Sequence, residues 1–207
     1  MVVIELKVII FDAGGVVVER AFPAVSAKFK EKYGINPEIT YSTLGRHWPL
    51  FQLGKILEDE YWMLVAADLN LEPNIAHFKK VIRQVFKVNQ EVFGLAEQLA
   101  KKHVLVLLTN ISREWLQHLR ENYPVDQVFH HVVASCDLGI AKPRLNADQN
   151  PFEIYLKCLE IVKTTPANCI LIDDHEENLV PAKQLGMQTI LFKNINQLKT
   201  DLSSLLS

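Results

Sequence analysis

Five short, mostly apolar runs punctuate the chain, at residues 8–11, 104–108, 131–134, 170–172 and 189–192, and each ends in small or polar residues. Short β-branched runs of this kind mark parallel strands buried on both faces. Between the last four runs the period changes to that of a helix. In 91–101, Val92, Leu95, Ala96 and Leu99 fall on one face, and in 152–162, Tyr155, Cys158, Leu159 and Val162 do the same. Strand alternating with helix predicts an α/β fold, a Rossmann-like doubly wound parallel sheet. The interval between the first and second runs breaks the rule. Residues 20–87 show helical patterns and no strand-like run, punctuated by Gly34, Pro37, Gly45, Gly54 and Pro73. This interval reads as a small helical cap domain inserted into a core made of residues 1–19 and 88–207. Trp48, Phe51, Tyr61, Trp62 and Phe78 are expected to form a core of its own.

A chain of 207 residues holds one full core, or a core plus a small accessory domain. The formal charge of −2 gives no electrostatic case for nucleic acid. The opening MVVIELKVIIFD reaches an acidic residue before an apolar segment develops, so neither a signal peptide nor a membrane span is expected. Cys136, Cys158 and Cys169 lack metal-binding or redox spacing, and an odd count speaks against a disulfide framework. A reducing, cytoplasmic setting fits these features.

In an open parallel sheet, ligands bind beyond the carboxyl ends of the strands. Asp12-Ala13-Gly14-Gly15 follows the first run, and Thr109 and Asn110 follow the second. A loop after the third carries Lys142-Pro143, and Asp173 and Asp174 follow the fourth. Taken singly, each has a structural explanation: strand-end aspartates cap helices, and Lys-Pro pairs make surface turns. Taken together, they bring carboxylates, a hydroxyl and a lysine to one crevice. Packed carboxylates need a cation to offset them, and an oxygen-only set suits a hard ion such as Mg²⁺.

The stretches VIIFDAGGV, VLLTN, LGIAKP and ILIDDHEENLVPAKQLGMQTILF resemble the motifs of the haloacid dehalogenase superfamily, and the likeness spans nearly the whole chain. FQLGKILEDEYW and ENYP…LGIAKP also resemble the bacterial branch with sugar-phosphate phosphatases such as α-glucose-1-phosphate phosphatase. The resemblance implies a role for each matching residue. Asp12 would attack phosphorus and form an aspartyl-phosphate. Asp12, the Gly14 carbonyl and Asp173 would hold Mg²⁺, with Asp174 nearby or binding through water. Thr109 and the Asn110 amide would bind phosphoryl oxygens. Lys142 would neutralise phosphoryl charge and keep Asp12 ionised. The implied partner is a small phosphorylated metabolite, a sugar phosphate among the candidates.

Two features depart from the family pattern. The phosphatases usually carry a second aspartate two residues after the nucleophile, as general acid and base; here that residue is Gly14. Such help is worth about 10²–10⁴-fold in rate. Glu19 or a residue of the inserted helices could supply the proton instead. The alternative function is therefore a catalytically impaired member that binds a phosphorylated ligand or a protein partner. The dehalogenase reading fits less well, because those relatives need no metal and carry an aromatic residue at the Gly14 position. The second departure is a polar insertion at 144–150, read as a lid or as a tolerated surface loop. Arg46 and His47 are expected either to face the crevice or to lie solvated on a helix.

Overall fold

The computed structural model describes residues 6–143 and 150–206. Five parallel strands, β1 (Val8–Phe11), β2 (Val104–Thr109), β3 (His131–Ala134), β4 (Cys169–Asp173) and β5 (Gln188–Leu191), form one sheet in the order β3-β2-β1-β4-β5. All five expected strands are present, displaced by no more than a residue or so at their ends. β1 is central, with Ile10 level with Val106 on one side and Leu171 on the other. The order reverses beside β1, so the crevice of this α/β fold opens where β1 and its neighbours end.

The apolar runs have no polar face because both faces of the sheet are covered. Ile9, Phe11, Leu105, Leu107, Ile170 and Ile172 point into one apolar cluster. Val8, Ile10, Val106, Leu108, Cys169 and Leu171 point into the other. Helices α9 (Glu153–Val162) and α10 (Glu176–Gln184) close the second face with Ile154, Tyr155, Cys158 and Leu179. The first face is closed by α5 (Gln90–Leu99), α6 (Arg113–Asn122) and α11 (Ile195–Leu205). Fully burying one such side chain contributes about 1.5–3 kcal/mol. Truncating Ile10, which is completely enclosed, to alanine would cost about 2–5 kcal/mol through the cavity left behind. Side-chain caps fix where helices begin: Asn89 accepts the Val92 N–H at the start of α5, and Ser112 accepts the Trp115 N–H at the start of α6.

Between β1 and α5 lie four helices, α1 (Ala21–Tyr33), α2 (Pro37–Gln52), α3 (Glu58–Asp68) and α4 (Ile75–Val85), and no strand among the described residues. Asn36 and Asn74 cap α2 and α4, and Gly34 ends α1 in a left-handed conformation. The expectation of a separate aromatic core in this insertion is corrected by the packing. Phe29, Trp62 and Phe78 do pack among themselves. Trp48, Phe51 and Tyr61, however, meet Trp115 of α6 at ring-centroid distances of 5.2, 5.4 and 6.3 Å. One apolar cluster runs from the sheet through Trp115 into the insertion. Sequence periodicity shows which face of a helix is apolar but not which partner covers it.

Polar contacts reinforce this junction. Ser135, at the start of the short α8 (Ser135–Leu138), donates its hydroxyl to the Gln52 carbonyl at 2.6 Å. Arg113 donates to the carbonyls of Gly54 (3.3 Å) and Cys136 (2.9 Å). The Glu58 carboxylate is buried and accepts from the Trp115 indole (2.8 Å) and from both terminal nitrogens of Arg83 (3.0 and 2.6 Å).

Candidate active site

The ends of β1, β2 and β4 and the loop after α8 surround a cavity of about 500 Å³. Asp12 follows β1 directly, and its backbone N–H donates to Ile172 O (2.9 Å), extending the β1–β4 ladder by one residue. That bond fixes the carboxylate at the sheet edge. Its Oδ1 accepts the Ala13 N–H at 2.7 Å and lies 2.6 Å from the Lys142 ammonium. Among the described residues no hydrogen bond or ion pair engages Oδ2, which leaves that oxygen available to an electrophile or a cation.

Lys142 is buried, and its ammonium also donates to Asp173 Oδ2 at 2.7 Å. Both oxygens of Asp173 are engaged: besides Lys142 on Oδ2, its Oδ1 accepts from the His175 N–H and the Asn178 side chain, both at 2.9 Å. Tyr155 supports this layer from below by donating its hydroxyl to Asn178 O at 2.6 Å. Asp174 differs. Its Oδ2 accepts from Arg20 Nε (2.9 Å) and Nη2 (2.5 Å), while its buried Oδ1 has no hydrogen-bond partner among the described residues. The His175 ring nitrogen Nε2 lies 3.7 Å from that oxygen. Thr109 lines the cavity from the end of β2, beside Asn110 and Ile111.

Burial comes first among the forces on Asp12. It raises the carboxyl from its ordinary 3.8 to about 7, with Asp173 and Asp174 adding to the rise and Lys142 opposing it. Burial alone would lower Lys142, but the two carboxylates beside it outweigh that and hold it above its ordinary value. Lys142 is therefore charged, and it is one ammonium shared between two buried carboxylates.

The family model for haloacid dehalogenase-like hydrolases matches residues 6–186, which takes in every residue of this arrangement. The chain belongs to that family. It is 26% identical over 188 residues to a sesquiterpene phosphatase of Aspergillus oryzae, covering 87% of each chain. It is 26% identical over 220 residues to bifunctional epoxide hydrolase 2 of Mus musculus, matching 91% of this chain but only 37% of that longer protein. Among solved structures, a haloacid dehalogenase family enzyme from Bacteroides thetaiotaomicron superposes with a TM-score of 0.74 at 20% identity, covering 91% of this chain and 94% of its own. Its wild-type complex with magnesium and inorganic phosphate superposes at 0.72, also at 20% identity, over 91% and 95% of the two chains. At that identity the likeness establishes the shared fold.

The donor set of this haloacid dehalogenase-like hydrolase fits a divalent metal. Asp12, Asp173 and Asp174 each offer an oxygen, and the three oxygens lie within 4.8 Å of one another. Three carboxylates meet two side-chain cations, Lys142 and Arg20, so a phosphate dianion could enter only with further positive charge. The orphaned Asp174 Oδ1 is an oxygen that a metal would satisfy.

Asp12, Gly14, Glu19, Thr109, Asn110, Lys142 and Asp174 all line the cavity, and Asp173 is fully buried beneath it. Arg46 and His47 do not line it; both donate to Asp68 Oδ2, at 2.7 and 2.9 Å. The insertion at 144–150 lies outside the described residues except for Asn150. Arg20, Phe22, Tyr41, Trp48, His175 and Asn178 line the cavity without having been singled out as ligands. For His175 and Asn178 a signal existed, because they follow Asp173 at the start of a helix, where backbone and side-chain donors turn back on a strand-end carboxylate. For Arg20 there was none. The three cysteines are buried and free, and burial pushes the Cys136 and Cys169 thiols up to about 11. Neither offers a nucleophile at neutral pH.

Proposed function

We propose that this hydrolase is a Mg²⁺-dependent phosphatase of small phosphomonoesters that works through an aspartyl-phosphate on Asp12. The observation that carries the reading is the Asp12 carboxylate, with one oxygen held by Lys142 and Ala13 and the other turned free, beside Asp174 and its unpartnered oxygen. Two relatives, the sesquiterpene phosphatase and a flavin mononucleotide hydrolase of Arabidopsis thaliana, support phosphate esters as substrates. The latter is 26% identical over 161 residues, matching 76% of this chain and 61% of that protein.

In this reading Asp12 Oδ2 attacks phosphorus, the bond from phosphorus to the ester oxygen breaks, and that oxygen leaves with the organic group. Lys142 holds Asp12 in line and balances its charge. Thr109 and the Asn110 amide bind the non-bridging oxygens. Water then attacks the phosphorus of the aspartyl-phosphate, releasing phosphate and restoring the carboxylate. Asp12, Asp174 and the Gly14 carbonyl would hold Mg²⁺, with Asp173 behind them; the bound ion supplies charge neutralisation at the phosphoryl oxygens. Residues 20–87 act as a cap over the core of residues 1–19 and 88–207. No helix among the described residues is long and apolar enough to cross a membrane, and the partner in this reading is a small molecule. Sugar phosphates are one arm of the substrate test.

Gly14 favours a second reading, binding without turnover, because it carries no acid. Hydrolysis of an aryl phosphate with and without Mg²⁺ separates the two. Mg²⁺-dependent turnover that vanishes in Asp12→Asn is the expected result. Equal activity in that variant overturns the assignment, and tight binding without turnover in the parent protein selects the second reading.

A further inference from the structure

The cavity has two unlike halves. Its floor is the charged set around Asp12 and Lys142. Its wall is aromatic: Phe22 from α1, Tyr41 and Trp48 from α2, Phe86 at the end of α4, and Ile111 and Trp115 from the core side. The rings are assembled as one surface. Phe22 stands nearly perpendicular to Tyr41, Trp48 and Trp115, at 6.0, 5.4 and 6.3 Å between centroids, and Phe86 lies 5.4 Å from Trp115. Edge-to-face packing of this kind holds each ring in place.

The hydrogen-bonding capacity of the wall is small. The Trp115 indole N–H is directed away, to Glu58. Phe22, Phe86 and Ile111 have none to give, which leaves the wall the Tyr41 hydroxyl and the Trp48 indole N–H. The polar side chains at the rim are partly spent: Arg20 is committed to Asp174, and Asn178 to Asp173. A polyhydroxylated leaving group would lose its hydration here and find few partners, at a cost for each unpaired hydroxyl. A hydrocarbon or aromatic group would lose water it does not need and gain contact with the rings.

We infer that the site is built for phosphomonoesters whose leaving group is an apolar alcohol or phenol, seated against Phe22, Tyr41 and Trp48. This rests on the phosphomonoester reading above and narrows it. A cavity of about 500 Å³ falls within the range of about 300–1,000 Å³ typical of small-molecule sites, leaving room for an organic group beyond the phosphate. Tyr41 is the wall residue most open to solvent, so it covers the part of the ligand farthest from the sheet.

The test uses the full chain with Mg²⁺ and two kinds of probe. Calorimetry with n-alkylphosphonates from methyl to octyl, which cannot be hydrolysed, reads the wall without the chemistry. Affinity should rise about two- to fourfold per methylene until the wall is covered. In Tyr41→Ser the rise should stop at a shorter chain. Turnover of acetyl phosphate, which needs no wall, reads the phosphatase assignment separately. A flat phosphonate series, or tighter binding of glucose 1-phosphate than of hexylphosphonate, overturns the inference even if acetyl phosphate is hydrolysed. A rising series without acetyl phosphate turnover supports the ligand class and overturns the phosphatase reading.

Discussion

The Asn110 side chain clasps the backbone of Lys142 at two points: its Oδ1 accepts the Lys142 N–H at 2.8 Å, and its Nδ2 donates to the Lys142 carbonyl at 3.3 Å. Asn110 follows β2 and Lys142 lies in a loop 32 residues on, so the pair fixes a loop residue to the edge of the sheet. That clasp lets a flexible lysine stem deliver its ammonium between two carboxylates. Asn110→Ala should lower kcat by about 10²-fold through misplacement of Lys142. The two lost hydrogen bonds should cost roughly 1–3 kcal/mol of stability. Steady-state kinetics beside a denaturant melt check both figures, and an unchanged kcat would remove Asn110 from the catalytic argument.

The adjacent aspartates of the DD pair have different duties. Asp173 is engaged through both oxygens by Lys142, His175 and Asn178, whereas Asp174 keeps an oxygen unpartnered among the described residues. Asp174→Asn should weaken Mg²⁺ by about 10–100-fold while leaving the metal-free protein folded. Asp173→Asn should destabilise the metal-free protein by about 1–3 kcal/mol, because Lys142 and two donors lose a charged acceptor. Mg²⁺ titration followed by calorimetry and melting separates the two variants. The reverse pattern would make Asp173 the direct ligand.

The state of Asp12 links metal and pH. Its carboxyl is raised from 3.8 to about 7 in the metal-free fold, burial being the largest cause. Between those values the folded protein holds a proton that the unfolded chain has lost. Stability of the metal-free protein should therefore fall as pH rises from about 4 to 7 on account of this group. Mg²⁺ competes with that proton, so the metal-induced gain in melting temperature should be larger at pH 8 than at pH 5. A gain independent of pH would mean that Asp12 is ionised before the ion arrives.

Glu58 joins the inserted helices to the core through Trp115 and Arg83. Glu58→Gln keeps the shape but halves the acceptor capacity and leaves Arg83 without its counter-charge. The expected loss is about 1.5–3 kcal/mol, less than for a fully enclosed pair because Arg83 is partly exposed. Since Trp115 also walls the cavity, KM for ring-bearing substrates should rise together with the loss of stability. Chemical denaturation with parallel kinetics tests the pairing of the two effects.

The strands and the catalytic crevice were legible in the sequence for one physical reason. A strand buried on both faces must be apolar throughout, so the first polar residue after it marks the sheet edge where ligands bind. Asp12, Thr109 and Asp173 follow from that rule alone. The aromatic junction with the core did not follow, because Trp48 and Phe51 carry the same local pattern whether they pack only within the insertion or also against Trp115, and only tertiary packing decides. Arg20 was illegible for a related reason: its partner, Asp174, is 154 residues away.

The sharpest contrast lies in two neighbouring glycines. A Cβ built at Gly14 meets nothing within 4 Å, and its φ is not in the left-handed region, so the position accepts a side chain. At Gly15, φ is +86° and a Cβ would lie 2.1 Å from Asp174 Oδ2. Only hydrogen allows the loop to pass that carboxylate. Gly15→Ala should therefore displace Asp174, weaken Mg²⁺ binding and reduce turnover of every substrate alike. Gly14→Asp should fold, and it would add an acid near the departing ester oxygen. In the parent protein an alkyl phosphate must leave as a strong base with no proton from Gly14, whereas an aryl or acyl phosphate leaves as a weak one. The gain from Gly14→Asp should accordingly fall on alkyl phosphates, up to about 10²–10⁴-fold, and be small for aryl and acyl phosphates. The new carboxylate joins Asp12, Asp173 and Asp174, so the gain requires Mg²⁺ to offset the added charge. Rates across leaving groups of graded basicity, for parent and variant, decide the matter. A parent series that is already flat would mean that another group gives the proton, and Glu19, which lines the same cavity, is the first to replace.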